Sequence, residues 1–142
     1  EVMQKDMLAN CQTVQTELDE IIKLAPRVIT NYSKRMTDRI NSLLESHDFQ
    51  IQPTDIVKEV GVFAEKCDVS EETVRLGCHI QQFNAIIQSP QSNGKKLDFL
   101  VQEMLRETNT IGSKANDVEI AKHVVEIKTC IERIREMVQN VE

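Results

Sequence analysis

Gly94–Glu142 reads GKKLDFLVQEMLRETNTIGSKANDVEIAKHVVEIKTCIERIREMVQNVE. Apolar residues recur through it at helical spacing: Leu97, Leu100, Val101, Met104 and Thr108, then Val118, Ala121, Val125, the Lys128 stem, Ile131, Ile134 and Val138. A period of three to four residues turns one side of a helix toward a core. The centre of the stretch departs from that pattern. Asp98, Gln102, Glu103, Arg106, Glu107, Asn109, Ser113, Lys114, Asn116 and Asp117 crowd hydrogen-bonding side chains into twenty residues around Ile111-Gly112. A solvated helix face is mostly Lys and Glu, whereas this mixture points to a built site. Gly112-Ser113 is expected to interrupt the helix, with the next one starting near Asn116.

Before this stretch the chain keeps the same period. Met3, Met7, Cys11, Val14, Leu18, Ile21 and Ile22 form one stripe; Pro26 then stands where a helix start tolerates it. Val28, Ile29, Tyr32, Met36, Ile40, Leu43 and Leu44 form a second stripe. Ser46-His47-Asp48 through Pro53 is a polar break, and Ile56, Val60, Phe63 and Ala64 mark a shorter helix ending around Lys66-Cys67. Asp68 with Glu71 three residues on is an N-cap and capping-box pattern, before a helix that turns Val74, Cys78, Phe83 and Ile86 inward. Ser89–Gly94 is a loop by composition. The expectation is an all-α helical bundle of about six helices with long antiparallel helical hairpins. It divides into 1–52, a long hairpin, and 53–142, a helical domain.

Composition agrees. The 142 residues include only four Gly, three Pro, no Trp and one Tyr, against abundant Ile, Val, Leu and Met, which favours long helices over turn-rich sheet. The four cysteines have no CxxC spacing and read as small half-buried hydrophobes. No run approaches the ~20 apolar residues of a membrane span, so a soluble, cytoplasmic protein is expected. The opening EVMQKDMLANCQ lacks an initiator Met and reads as mid-helix, suggesting a piece of a longer chain. Net charge is −6, which alone does not suggest nucleic acid, but residues 26–49 carry +1 with Arg27, Lys34, Arg35 and Arg39 on one helix.

KLDFLVQEM, Arg106-Glu107, NTIGSKAND and the closing VQNVE are similar to the C-terminal domain of the bacterial YicC/YloC family, described as metal-dependent endoribonucleases. EVGVFAEKCDVSEETVRLGCHIQQF (59–83) and LAPRVITNYSKRMTDRI from Leu24 resemble the family's preceding blocks, so the likeness covers nearly the whole chain. Leu105, where the family usually has Asn, and Cys78, where Ser commonly precedes the His, depart from the pattern. The resemblance implies hydrolysis of RNA with a divalent ion, Mn2+ or Mg2+. It also implies a preceding N-terminal domain and a ring-like homohexamer with a locally basic channel for RNA.

Three groups of residues suit that chemistry. Glu103 and Glu107, four apart on one face with Asp98 upstream, are placed to share a hard cation, and Arg106 beside them to take a phosphate. The plainer reading of ExxRE is a solvated helix charge pattern. His79, with Arg75 one turn before it and Glu72 two turns before it, is the candidate ligand or proton carrier; a packed or exposed histidine is the alternative. Asn109–Asp117 offers Gly112 for close backbone approach, Lys114 for charge and a helix N-terminus for a phosphate, or else an interhelix turn capped by Ser113 or Asn116. On the resemblance, His79, Glu103 and Glu107 are the expected catalytic set, the same three with Asp98 hold metal, and Arg75, Arg106 and Lys114 hold phosphates. The rival is a non-catalytic helical oligomerisation or RNA-binding adaptor domain. HExxH, GxGxxG, a Walker loop and aromatic stacking platforms are all missing from the sequence.

Overall fold

The computed structural model describes residues 2–46, 52–89 and 94–141. They form α1 (Val2–Ser46), α2 (Pro53–Cys67), α3 (Ser70–Gln88), α4 (Gly94–Lys114) and α5 (Val118–Val141), with no strand among the described residues. The all-α expectation holds; about six helices and a hairpin over 1–52 do not. His47 and Pro90–Asn93, part of the two breaks read from the sequence, lie outside the described residues.

The correction comes at Pro26, which sits inside one 45-residue helix instead of opening a second. A proline inside a helix removes one hydrogen bond, here to the carbonyl of residue 22, and crowds that carbonyl. The Ile22 side chain is 47% exposed, so the missing bond falls on the solvent side. The buried side is uninterrupted: Met7, Val14, Ile21 and Val28 recur every seven residues, with Cys11 and Leu18 between them. That heptad seam packs like a coiled coil, and it continues in register across the proline.

Four helices share the core, as α5 packs on α1 and α4, while α3 packs on α1 and α4. Leu18, Ile21, Leu76, Ile80, Phe83, Met104, Ile111, Ile120, Ile127, Ile131 and Ile134 are fully buried there. The apolar stripe expected on α4 is the one observed. In α3 the register differs: Val74 is 65% exposed and Cys78 is exposed, while Leu76 and Ile80 face inward with Phe83. On α5, Val118 and Val125 face solvent and Ile120, Val124 and Ile127 are buried instead. Cys11, Cys67 and Cys130 are free and buried; burial, with Cys130 beside it, pushes the Cys11 thiol up to about 12. The second half of α1 leaves this core with α2 laid against it, and Tyr32 and Phe63 stack there with ring centroids 3.7 Å apart.

Gly112 does not interrupt α4, which runs on to Lys114. A Cβ placed on Gly112 would stand 3.3 Å from Val124 Cγ1, so the glycine lets α4 lie close on α5. Gly112→Val is therefore expected to lower stability by about 1–3 kcal/mol through overpacking. In Gly112→Ala the gain in helix propensity, about 1 kcal/mol, offsets the tight contact. Urea denaturation of the two variants beside the parent checks this, and equal midpoints for all three would contradict it.

Candidate functional site

Two buried carboxylates face each other across α3 and α4. Glu72 lies in the first turn of α3 and Glu107 in the middle of α4, and both are almost fully buried. Burying a charge is costly unless it is paired and hydrogen-bonded, and each has a cation from the opposite helix. Arg75 Nε donates to Glu107 Oε2 at 2.8 Å, and Lys114 Nζ donates to Glu72 Oε2 at 3.0 Å. Arg75 also spans its own helix, with Nη1 3.3 Å from Glu71 and Nη2 3.8 Å from Glu72. The four side chains make a crossed network on an antiparallel pair of helices. Arg75 remains 48% exposed, so a fixed guanidinium faces solvent from a buried anchor.

Electrostatics follow from that arrangement. The hydrogen bond to Glu107, opposed by burial and helped by the charges of Glu107 and Glu72, raises Arg75 further above its already high range. Burial pushes the Glu72 carboxyl up. The Lys114 hydrogen bond, Glu72's own backbone N–H and the charges of Lys114 and Arg75 outweigh it, and the net shift is downward. A carboxyl held below its ordinary value of 4.5 contributes stability above that pH, and the contribution disappears as pH falls through the folded value. Acid unfolding followed by circular dichroism should thus steepen below about pH 4.5 in the parent. It should be flatter in Glu72→Gln, and an unchanged acid limb in that variant would contradict the assignment.

The remaining candidates sit around this network. His79 follows Arg75 by one turn on the same side of α3, and its Nδ1 is buried without a hydrogen-bond partner among the described residues. Glu72 Oε1 is in the same condition. Glu103, half-buried, precedes Glu107 by one turn on the same side of α4. Its contact with the well-exposed Arg106, at 4.0 Å, is weak. Asp98 accepts from Gln102 Nε2 at 3.1 Å and stands about 14 Å along the axis from Glu107, half a turn around the helix. Arg75, Glu107 and Lys114 are in contact through the network, with His79 and Glu103 flanking it; Asp98 and Arg106 stand apart.

The anion-binding reading of Asn109–Asp117 is not what this segment forms. Gly112 faces Val124, Ser113 Oγ donates to the Thr110 carbonyl at 3.1 Å, and Asp117 Oδ1 caps α5 by accepting from the amides of Glu119 and Ile120 at 3.0 and 3.1 Å. A carboxylate already holds that helix start. Leu105 packs half-buried against the core and Cys78 is exposed.

Glu72 is not among the site residues expected from the sequence, although it stands two turns before His79. The signal for it is its place three residues before Arg75 and seven before His79, which puts all three on one side of α3.

A divalent ion needs several oxygen or nitrogen donors converging on one point. Among the described residues no group of three or more His, Cys, Asp or Glu side chains is arranged to hold one. Glu107 and Glu72 are each neutralised by a cation of the opposite helix. The donors among the described residues therefore do not fit a complete metal site.

Residues 21–142 match the family model described as "Endoribonuclease YicC-like, C-terminal". The chain is 40% identical over 138 residues to a protein of Clostridioides difficile (strain 630) named "Probable endoribonuclease YicC", which covers 97% of this chain and 47% of that protein. It is 32% identical over 130 residues to one of the same name from Haemophilus influenzae (strain ATCC 51907 / DSM 11121 / KW20 / Rd), covering 92% of this chain and 44% of that protein. The chain thus spans about half the length of the curated relatives it matches.

Proposed function

This chain belongs to the YicC-like endoribonuclease family, and from that membership we propose that it takes part in endonucleolytic hydrolysis of RNA phosphodiester bonds at the α3/α4 network. The observation that carries the reading is Arg75, half-exposed and braced by the buried carboxylate of Glu107, one turn from His79. Cleavage of a phosphodiester needs a proton taken from the attacking oxygen and one given to the leaving oxygen. It also needs positive charge fixed against the phosphoryl oxygens before the reaction starts. Arg75 supplies a planar two-pronged donor for a phosphate. Lys114, tethered by Glu72, supplies a second cation beside it. His79 moves the proton, and Glu103 lies at the rim of the same face. Glu107 and Glu72 act as positioning residues, each holding a cation in place.

A divalent ion, Mn2+ or Mg2+, is kept in the proposal as the expected activator. It is supported by the family resemblance and by Glu72 Oε1 and His79 Nδ1, two of the three buried side-chain atoms without a hydrogen-bond partner among the described residues, the third being Asn84 Oδ1. No step is routed through it, because the described residues do not bring three donors together. A homo-oligomer, a hexamer in this reading, is supported by the exposed apolar side chains Val57 and Val62 on α2. The cytoplasm is the compartment in which such a protein meets RNA, and no described helix is long and apolar enough to cross a membrane.

The test is cleavage of a labelled single-stranded RNA by the full-length protein, with manganese, with magnesium and with chelator. Internal cleavage in metal and none in chelator is the expected result. Cleavage that survives chelator would remove the ion and leave the nuclease. No cleavage under any condition would overturn the reading in favour of an adaptor or oligomerisation module, for which the Arg75–Glu107 and Lys114–Glu72 pairs are simply ties between helices.

A further inference from the structure

Beyond Val28, α1 has no buried residue among those described; it leaves the core as an arm flanked by α2. On this arm and at its root stand Arg27, Lys34, Arg35 and Arg39, all exposed, and none is ion-paired with another described residue. Lys23, Arg75 and Arg135, by comparison, each pair with a glutamate one turn away, Glu20, Glu71 and Glu132; what sets the arm apart is the closeness of its four cations in sequence. Residues 27–39 contain one acid, Asp38, so this segment carries +3 within a chain of net charge −6. Thr30 and Asn31 stand one turn after Arg27, where an acid would balance it, and Asp38, one turn after Lys34 and Arg35, is the segment's one acid.

Shape adds to charge. Arg35 and Arg39, one turn and about 6 Å apart along the axis, border a groove of about 610 Å³ whose other walls are Tyr32, Met36, Ile40 and Leu43. Tyr32 is held rigid there by its stack on Phe63. On the neighbouring side Asn31, Lys34, Arg35 and Asp38 face Asn116 and Asp117 across a second groove of about 440 Å³, so the two acids there leave the first groove as the more positive of the two. From Arg27 to Arg39 the cations extend over about 18 Å, the span of several nucleotides rather than of a single anion. Apolar walls between arginines suit a chain that alternates bases with phosphates.

Resting on the reading of RNA as substrate, we propose that the α1 arm is a second RNA-binding surface, separate from the α3/α4 network. A single strand lies along the helix with its phosphates against Arg27, Lys34, Arg35 and Arg39, and a base rests in the groove beside Tyr32. The arm holds the strand, and the α3/α4 network cuts it.

The experiment measures binding of a labelled uridine-rich single-stranded RNA by the full-length protein over a range of salt, together with kcat and KM for its cleavage. The double variant Arg35→Gln/Arg39→Gln is expected to weaken Kd about tenfold. It should also lower the log–log salt slope by about 1.4, since each phosphate no longer neutralised on a single strand removes about 0.7. It should raise KM while kcat, the circular dichroism spectrum and the assembly mass stay as in the parent. Arg27→Gln/Lys34→Gln, on the neighbouring side of the helix, should move Kd and slope in the same direction. Unchanged Kd and salt slope in both variants, with the parent binding and cleaving RNA, would overturn the arm as an RNA surface and leave the nuclease reading standing. A changed assembly mass with unchanged RNA affinity would overturn it in favour of a protein contact. Failure of the parent to bind RNA at all would overturn both readings.

Discussion

Glu107→Gln in the full-length protein is expected to cut RNA cleavage by about two orders of magnitude or more while the chain stays folded. The carboxylate is buried and accepts the Nε–H of Arg75 at 2.8 Å. The amide keeps the volume and one weaker acceptor but removes the charge. Arg75 then has its strongest remaining partner at Glu71, on the exposed side of α3, and the guanidinium moves outward. A misplacement of about 1 Å in a group that orients substrate can cost about a hundredfold in rate. Because Glu107 acts through Arg75, the loss should fall on kcat more than on KM, and Glu107→Asp should recover part of it. His79→Ala is the companion variant, with an expected loss of about 10²–10⁴ if the imidazole moves the proton. Full activity in both variants would place the chemistry elsewhere on the chain. Loss of activity together with a fall in assembly mass would favour the structural reading of the network.

Phe83→Ala is expected to have the largest effect on stability. Its ring is fully buried on α3, in the core shared with α4 and α1. Removing a ring of that size costs about 3–5 kcal/mol through forfeited transfer energy and an incompletely collapsed cavity. Total stability of a domain is about 5–15 kcal/mol, so this variant should sit near its unfolding limit at 25 °C. Urea unfolding would show a large drop in midpoint with a similar slope. Since α3 carries Glu72, Arg75 and His79, a poorly seated α3 should also lower cleavage, and a stabilising osmolyte should restore part of it. A midpoint within about 1 kcal/mol of the parent would mean the ring is not where the core depends on it.

Particular elements show how far the sequence can be read. The α4 stripe Leu97, Leu100, Val101, Met104 and Thr108 is legible because its members recur without a competing register. On α3 the residues Val74 and Cys78 offer an alternative stripe to Leu76 and Ile80, and periodicity alone does not separate two stripes on one helix. What separates them is where α1 and α4 lie. Pro26 reads as a helix start because a proline's local preference is visible in sequence. The seven-residue seam that carries α1 through it becomes decisive only when packed on α5 and α3. Gly112 suggests backbone freedom beside a ligand, whereas its reason is a methyl group of Val124 on another helix.

Helical class, most of the apolar faces and family membership are all written in the order of residues alone, because each lies in short-range spacing or in contiguous strings. Glu103 and Glu107 on one side of α4, and Arg75 and His79 on one side of α3, are equally readable from positions three to four apart. It took the packing of the helices to bury Glu72 and Glu107 and to give each carboxylate its cation from the facing helix. Those pairs join residues 32 and 42 positions apart in the chain. Burial is the cause of the difference: a carboxylate on a helix surface is satisfied by water and reads the same in sequence wherever it lies. Once a second helix covers it, it must be matched by a cation whose position is set by the packing of α3 on α4.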